Sequence, residues 1–169
     1  MNFTHCTECG TLLIQKELDH EGIVPYCPVC REFRFHMYNV AVSMIVTNRE
    51  NGKILLVKQY GRPTYILVAG YVNQGEALEH AAIRELREET GMKAESLHYN
   101  RSQFFVPSNT LMCNYTVFVK NDADLHTNRE IDSCQWFTPE EAIENIKPGS
   151  LAEKFLVTYL KSPESHLRS

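Results

Sequence analysis

Apolar positions along this chain follow two rhythms, and the changes between them mark out its elements. Residues 1 to about 36 are rich in cysteine and turn formers and show no helical period. Asn39 to Thr47, "NVAVSMIVT", is rich in β-branched and apolar residues and predicts a strand. The turn "NRENGK", with Asn51-Gly52 at its tip, returns the chain through "ILLVKQY", a second strand. Gly61 and Pro63 break the chain before another apolar segment, "TYILVAGYV". From about Glu76 to Thr90 the period lengthens. Ala77, Leu78, Ala81, Ala82, Ile83 and Leu86 predict a helix, and Gly91 is placed to end it in the left-handed conformation. Leu111 to Lys120 alternates as a half-buried strand does, and "QWF" predicts a short one. Two helix starts follow: Thr138 as cap with Pro139 and Glu141 behind it, then Ser150 with Glu153. Strands and helices are mixed, so the class is α+β or α/β.

Composition narrows this reading. The chain has 169 residues, 43% of them apolar and 10% aromatic, enough for a packed core. A formal charge of -4 and a pI near 6.0 argue against a broad nucleic-acid footprint. No apolar run reaches membrane-span length, and "MNFTHCTECG" carries no secretory pattern, so a cytoplasmic protein with no membrane partner is expected. The expected organisation is a cysteine-rich segment at 1–36, a larger domain at 37–163 and a frayed tail at 164–169.

The cysteines point to a metal. Cys6-x2-Cys9, seventeen intervening residues and Cys27-x2-Cys30 have the spacing of a four-cysteine zinc site, while Cys113 and Cys134 stand alone. Four sulfur ligands leave no open position for water, so this zinc is expected to be structural, folding a segment too small to make its own core. His5, His20 and His36 are read as surface residues rather than ligands.

The second chemical feature lies in the predicted helix. Glu85, Glu88 and Glu89 are three and four residues apart and share a face, at a cost of about 0.2–0.5 kcal/mol per like-charged pair. Taken alone the cluster fits an ordinary solvated face. Its setting changes that: Gly70, five residues, Glu76, seven residues, then Arg84-Glu85-Leu86-x-Glu88-Glu89-x-Gly91-Met92. This series resembles the Nudix box, Gx5Ex7REUxEExGU with U aliphatic, at every defining position. The resemblance implies a mixed sheet between helices and hydrolysis of a nucleoside diphosphate linked to another moiety, with magnesium or manganese. It implies Glu85, Glu88 and Glu89 as metal ligands with the backbone carbonyl of Ala69, and Arg84 orienting the cluster. Glu76 is expected to brace the loop, with Gly70 and Gly91 structural. Glu130, in "TNREIDSCQWF", stands where the family often supplies a further acidic ligand or base.

A four-cysteine ribbon ahead of such a domain resembles the bacterial NADH pyrophosphatases, which also act on NAD-capped RNA. Their signature SQPWPFPxS-LM is matched by "SQFFVPSNTLM" at Ser102, Gln103, Leu111 and Met112, with a degenerate centre. Pro148, Gly149 and Ala152 match a later PGT(I/V)A segment. The resemblance covers essentially this whole chain, without that subfamily's larger amino-terminal domain. It implies a dinucleotide substrate such as NADH or NAD, capped RNA as a further partner, and a homodimer by analogy. ADP-ribose and nucleotide sugars are alternatives. So is a nucleotide-sensing module without turnover, which would be expected to lose the box glutamates that this chain keeps. Gln103, Phe104 and Phe105 are candidates for binding substrate, the two rings either stacking on a base or filling the core.

Overall fold

The computed structural model describes residues 4–162, and the chain parts into two units between Tyr38 and Asn39. In the first unit, β1 (Ile14–Leu18), β2 (Gly22–Cys27) and β3 (Glu32–Phe33) form an antiparallel sheet in that order. The sequence pattern did not announce these strands, because a sheet this small has little core to impose alternation. Its buried apolar residues, among those described, are Cys6, Val24 and Cys27. The Lys16 Nζ lies 4.1 Å from the ring centroid of Tyr26, a cation–π contact over one face of the ring.

The second unit is built on β4 (Asn39–Asn48), the axis of a six-stranded mixed sheet. β5 (Ile54–Gln59) returns antiparallel beside Val46 and Thr47 across the Asn51-Gly52 turn, where Gly52 has φ 68°. β6 (Val68–Tyr71) pairs with the other half of β4, Ala41 to Met44. The apolar segment before it is strand only over those four residues, since Tyr65 and Ile66 make isolated bridges to Ile146 and Val57 instead. β8 (Thr110–Val119) runs parallel to β4 along its full length. β9 (Ile131–Phe137) closes the edge beside β5 and is longer than "QWF" alone predicts.

The opposite edge is β7 (Ala94–Phe105), twelve residues with no clear apolar alternation. Two register shifts against β8, at Ala94/Ser96 and Tyr99/Arg101, interrupt its period of two. An edge strand with one partner strand also has less need of a fully apolar face. This is why the sequence pattern left it unmarked.

Alternate residues of β4 feed two cores. Val42, Met44 and Val46 pack with Ala81, Ala82 and Leu86 of α1 (Leu78–Thr90). Ile45 packs on the other face with Ala142 of α2 (Pro139–Asn145) and with Phe155 and Leu156 of α3 (Leu151–Leu160). The sheet is therefore sandwiched between helices, and the class is α+β. Thr138 makes the full capping box with Glu141, and Ser150 accepts from the Glu153 N–H at 3.1 Å. α1 starts at Leu78 rather than Glu76, because Glu76 is drawn back to the loop: its Oε2 accepts from the Asn73 N–H at 3.0 Å. No helix among the described residues is long and apolar enough to cross a membrane. The segment 164–169, read from sequence as a tail, lies outside the described residues.

Candidate active site

α1 lays its acidic face against the end of β6. Gly91 terminates the helix at φ 70° and donates to the Arg87 carbonyl at 2.9 Å. A side chain at Gly91 would also run into the ring of His126. On the acidic face Arg84 serves three carboxylates. Its Nε donates to Glu76 at 2.8 Å and one terminal nitrogen to Glu85 at 2.7 Å and Glu88 at 3.1 Å. The other terminal nitrogen donates to the Tyr71 carbonyl at 3.0 Å, tying the helix to β6. The Arg84 guanidinium, then the Asn73 N–H, hold the Glu76 carboxyl down to about 2. Glu76 is thereby a fixed anion that locks the loop 73–76 onto the helix.

The glutamates are graded in burial. Glu88 is exposed, the Glu85 side chain keeps only 14% of its surface, and Glu89 is 3% exposed. The Glu85 carboxylate lies in the space that a side chain at position 70 would fill, so Gly70 is what lets it approach β6. Glu89 Oε1 accepts from the Gln59 amide at 3.1 Å, while Oε2 is buried with no partner. Burial, with the neighbouring Glu85 charge second, pushes the Glu89 carboxyl up to about 8.

Glu130 reaches the same place from the loop before β9. Asn128 Oδ1 accepts from the Glu130 N–H at 2.9 Å, and the Asn128 N–H donates to the Glu89 carbonyl at 3.2 Å. The Tyr60 hydroxyl donates to Glu130 Oε2 at 2.7 Å, and this bond, with the neighbouring carboxylate charges, raises Tyr60 to about 12. A cleft of about 480 Å³ is lined by Ala69, Gly70, Glu85, Glu88, Glu89 and Glu130, with Gln59, Tyr60, Tyr71 and Met112 around them. Gln59 and Tyr60 were missed in the sequence, though a polar and an aromatic residue ending the apolar run "ILLV" is an available signal.

Gln103, Phe104 and Phe105 end β7 and are not among the described residues that line this cleft. Gln103 pairs with Met112, which does line it. Phe104 and Phe105 are 44% and 36% exposed, which removes the alternative that they are core residues.

In the first unit all four Sγ atoms of Cys6, Cys9, Cys27 and Cys30 lie within 4.8 Å of one another. The Cys6–Cys30 and Cys9–Cys27 separations are 3.9 and 3.4 Å. Tetrahedral zinc with sulfur at about 2.3 Å requires edges of about 3.8 Å, so the set fits one ion. Both knuckles have the same backbone: the Gly10 and Arg31 N–H groups donate to the Cys6 and Cys27 carbonyls, with φ 72° and 60°. The Arg34 guanidinium donates to Cys6 Sγ at 3.3 Å and draws that thiol down to about 6. Cys30 is pushed up to about 12, first by its hydrogen bond with Cys9 and then by burial. His5, His20 and His36 are exposed, and none belongs to the cysteine group.

A mixed sheet between helices, with the carboxylates of one helix face lining a cleft beside it, is the frame of this site. The NUDIX domain profile matches residues 37–157, and the chain belongs to that family. It is 29% identical over 158 residues to the NAD-capped RNA hydrolase NudC of Pseudomonas aeruginosa, covering 92% of this chain and 55% of that protein. It is 32% identical over 146 residues to Nudix hydrolase 19, chloroplastic, of Arabidopsis thaliana, covering 80% of this chain and 32% of that protein. The chain thus spans about half the length of the first of these relatives and a third of the second. Among solved structures, a NUDIX hydrolase from Nitrosomonas europaea superimposes with a TM-score of 0.67 at 20% identity, covering 96% of this chain and 93% of that one.

Proposed function

We propose that this chain is a metal-dependent pyrophosphohydrolase that cleaves the diphosphate of a dinucleotide such as NADH or NAD. The observation that carries the reading is the buried, unpartnered Glu89 Oε2 beside a cleft shared with Glu85, Glu88 and Glu130. A buried carboxylate oxygen without a partner costs about 1–3 kcal/mol or more, and a hard cation is the partner that its chemistry selects. Glu85, Glu88, Glu89 and the Ala69 carbonyl would hold magnesium or manganese, with Glu130 opposite as a further ligand or the base. Bound there, such an ion would offset charge on the phosphates and would make a water more acidic. Arg84 keeps Glu85 and Glu88 aimed into the cleft, Gln59 fixes Glu89, and Glu130 is placed to accept a proton from attacking water. Gln103, Phe104 and Phe105 are proposed to meet the base or nicotinamide beyond the diphosphate. Cys6, Cys9, Cys27 and Cys30 hold a structural zinc. A cytoplasmic homodimer belongs to the same reading, on family resemblance.

The test is turnover with magnesium or manganese of NADH, NAD, ADP-ribose, nucleotide sugars and NAD-capped RNA. Hydrolysis of NADH or NAD to two mononucleotides is expected. Preference for capped RNA would follow the NudC relatives, preference for ADP-ribose would move the substrate class, and silence toward all would leave a sensing module.

Gly70→Ala supplies a separate check. Its methyl group displaces only the flexible end of Glu85, so the fold should survive while the carboxylate moves. Divalent-metal affinity is expected to fall 10- to 100-fold with unchanged circular dichroism. Undiminished affinity would show that Glu85 is not held by this approach.

A further inference from the structure

We propose that the turn ending β5 is a clamp that sets the spacing of the cleft's carboxylates, with Tyr60 as the positioning residue of Glu130. Three consecutive residues there each hold an acid. The Gln59 amide donates to Glu89 at 3.1 Å, the Tyr60 hydroxyl to Glu130 at 2.7 Å and the Gly61 N–H to Asp132 at 2.6 Å. These acids come from different elements: Glu89 from α1, Glu130 from the loop behind it, and Asp132 from β9. One turn therefore references the helix and the loop to the same sheet.

The backbone is shaped for this. A register shift between Lys58 and Gln59 sets Gln59 opposite Ile131, so the next pair beyond the ladder is Tyr60 and Glu130. Tyr60 has φ 55°, a left-handed conformation that a bulky residue adopts only where its surroundings impose it. Tyr60 is 67% exposed, so core packing is not what holds it there.

The chemistry follows from the two oxygens of a carboxylate. With Oε2 accepting from Tyr60, Glu130 has a fixed rotamer and Oε1 free for the cleft. On the far side, Gln59 occupies Oε1 of Glu89 and leaves Oε2 free. The turn thus engages one oxygen from each of two carboxylates that line the same cleft, as partners behind metal ligands do. A phenol suits this role because it donates one directional bond and carries no charge to compete with a cation.

This inference rests on the metal-site reading, and manganese binding separates the two. Mn²⁺ is titrated into zinc-loaded protein, followed by its electron paramagnetic resonance signal, for wild type, Tyr60→Phe, Glu130→Gln and the double variant. Tyr60→Phe should weaken Mn²⁺ about tenfold in the wild-type background with an unchanged melting temperature. It should add nothing in the Glu130→Gln background, because its effect passes through that carboxylate. Equal losses in both backgrounds, or none in the wild type, would overturn the clamp. Failure of the wild type to bind Mn²⁺ would instead remove the metal site, and the clamp with it.

Discussion

Glu89→Gln is expected to lower turnover about 10³-fold while leaving the protein folded. The amide is nearly isosteric and can still accept the Gln59 bond, so packing at this 3% exposed position changes little. What it loses is the anionic oxygen, Oε2, that has no protein partner. If that oxygen grips a divalent ion, its removal takes several kcal/mol of charge stabilisation from the transition state, and each 1.36 kcal/mol is about tenfold in rate. Steady-state kinetics at saturating manganese check this. Wild-type turnover in the variant would take Glu89 out of the metal set.

The same substitution isolates a pH effect. Burial and Glu85 raise the Glu89 carboxyl from its ordinary 4.5 to about 8 in the folded state. A proton held more tightly in the folded state stabilises the fold fully below the unfolded pKa, and that stabilisation is lost as pH rises through 8. Zinc-loaded protein without magnesium or manganese should therefore lose on the order of a few kcal/mol between about pH 5 and 8 relative to Glu89→Gln, read by urea denaturation. Added manganese should recover it, because a cation takes the place of the proton. Parallel curves for the two proteins would mean that Glu89 ionises at no cost.

The helical half of this site was legible because its information is local. Glu85, Glu88 and Glu89 share a face through helix geometry alone, and Gly70 and Glu76 precede them at fixed distances. The other half was not, because it is made by tertiary register. Tyr60 and Glu130 are 70 residues apart, and only the β5–β9 ladder with its bulge brings them together. The same limit hid β7: Asn100 falls at a register shift and turns toward Asn114 and Thr116, at 2.8 and 2.9 Å. A strand whose inward positions include asparagine, in contact with polar partners on β8, carries no alternation to read. Gln103, Phe104 and Phe105 show the converse. Their motif placed them as a group, while the sheet sets them at an edge, half-exposed.

Stripping the proposed zinc from the cysteine cluster is expected to unfold the first unit. Cys6, Val24 and Cys27 are its buried apolar residues among those described, far short of the burial that balances ordering more than thirty residues. The four thiols do not supply the difference as cross-links, because all are free, with the paired sulfurs 3.4 and 3.9 Å apart. As thiolates they would repel one another, with the Arg34 guanidinium donating to Cys6 Sγ and the Cys30 N–H to Cys27 Sγ against that charge. A structural zinc brings about 10–16 kcal/mol at neutral pH, enough to hold both knuckles and the short β1–β2–β3 sheet. Chelation, or Cys27→Ser, should therefore abolish hydrogen-exchange protection in β2, where Cys27 ends the strand and fills the unit's interior. The amides of β4 should keep theirs, since the cores on Met44 and Ile45 need no metal. Protection in β2 that persisted without metal would mean that this small sheet folds on side-chain packing that its three buried apolar residues do not provide.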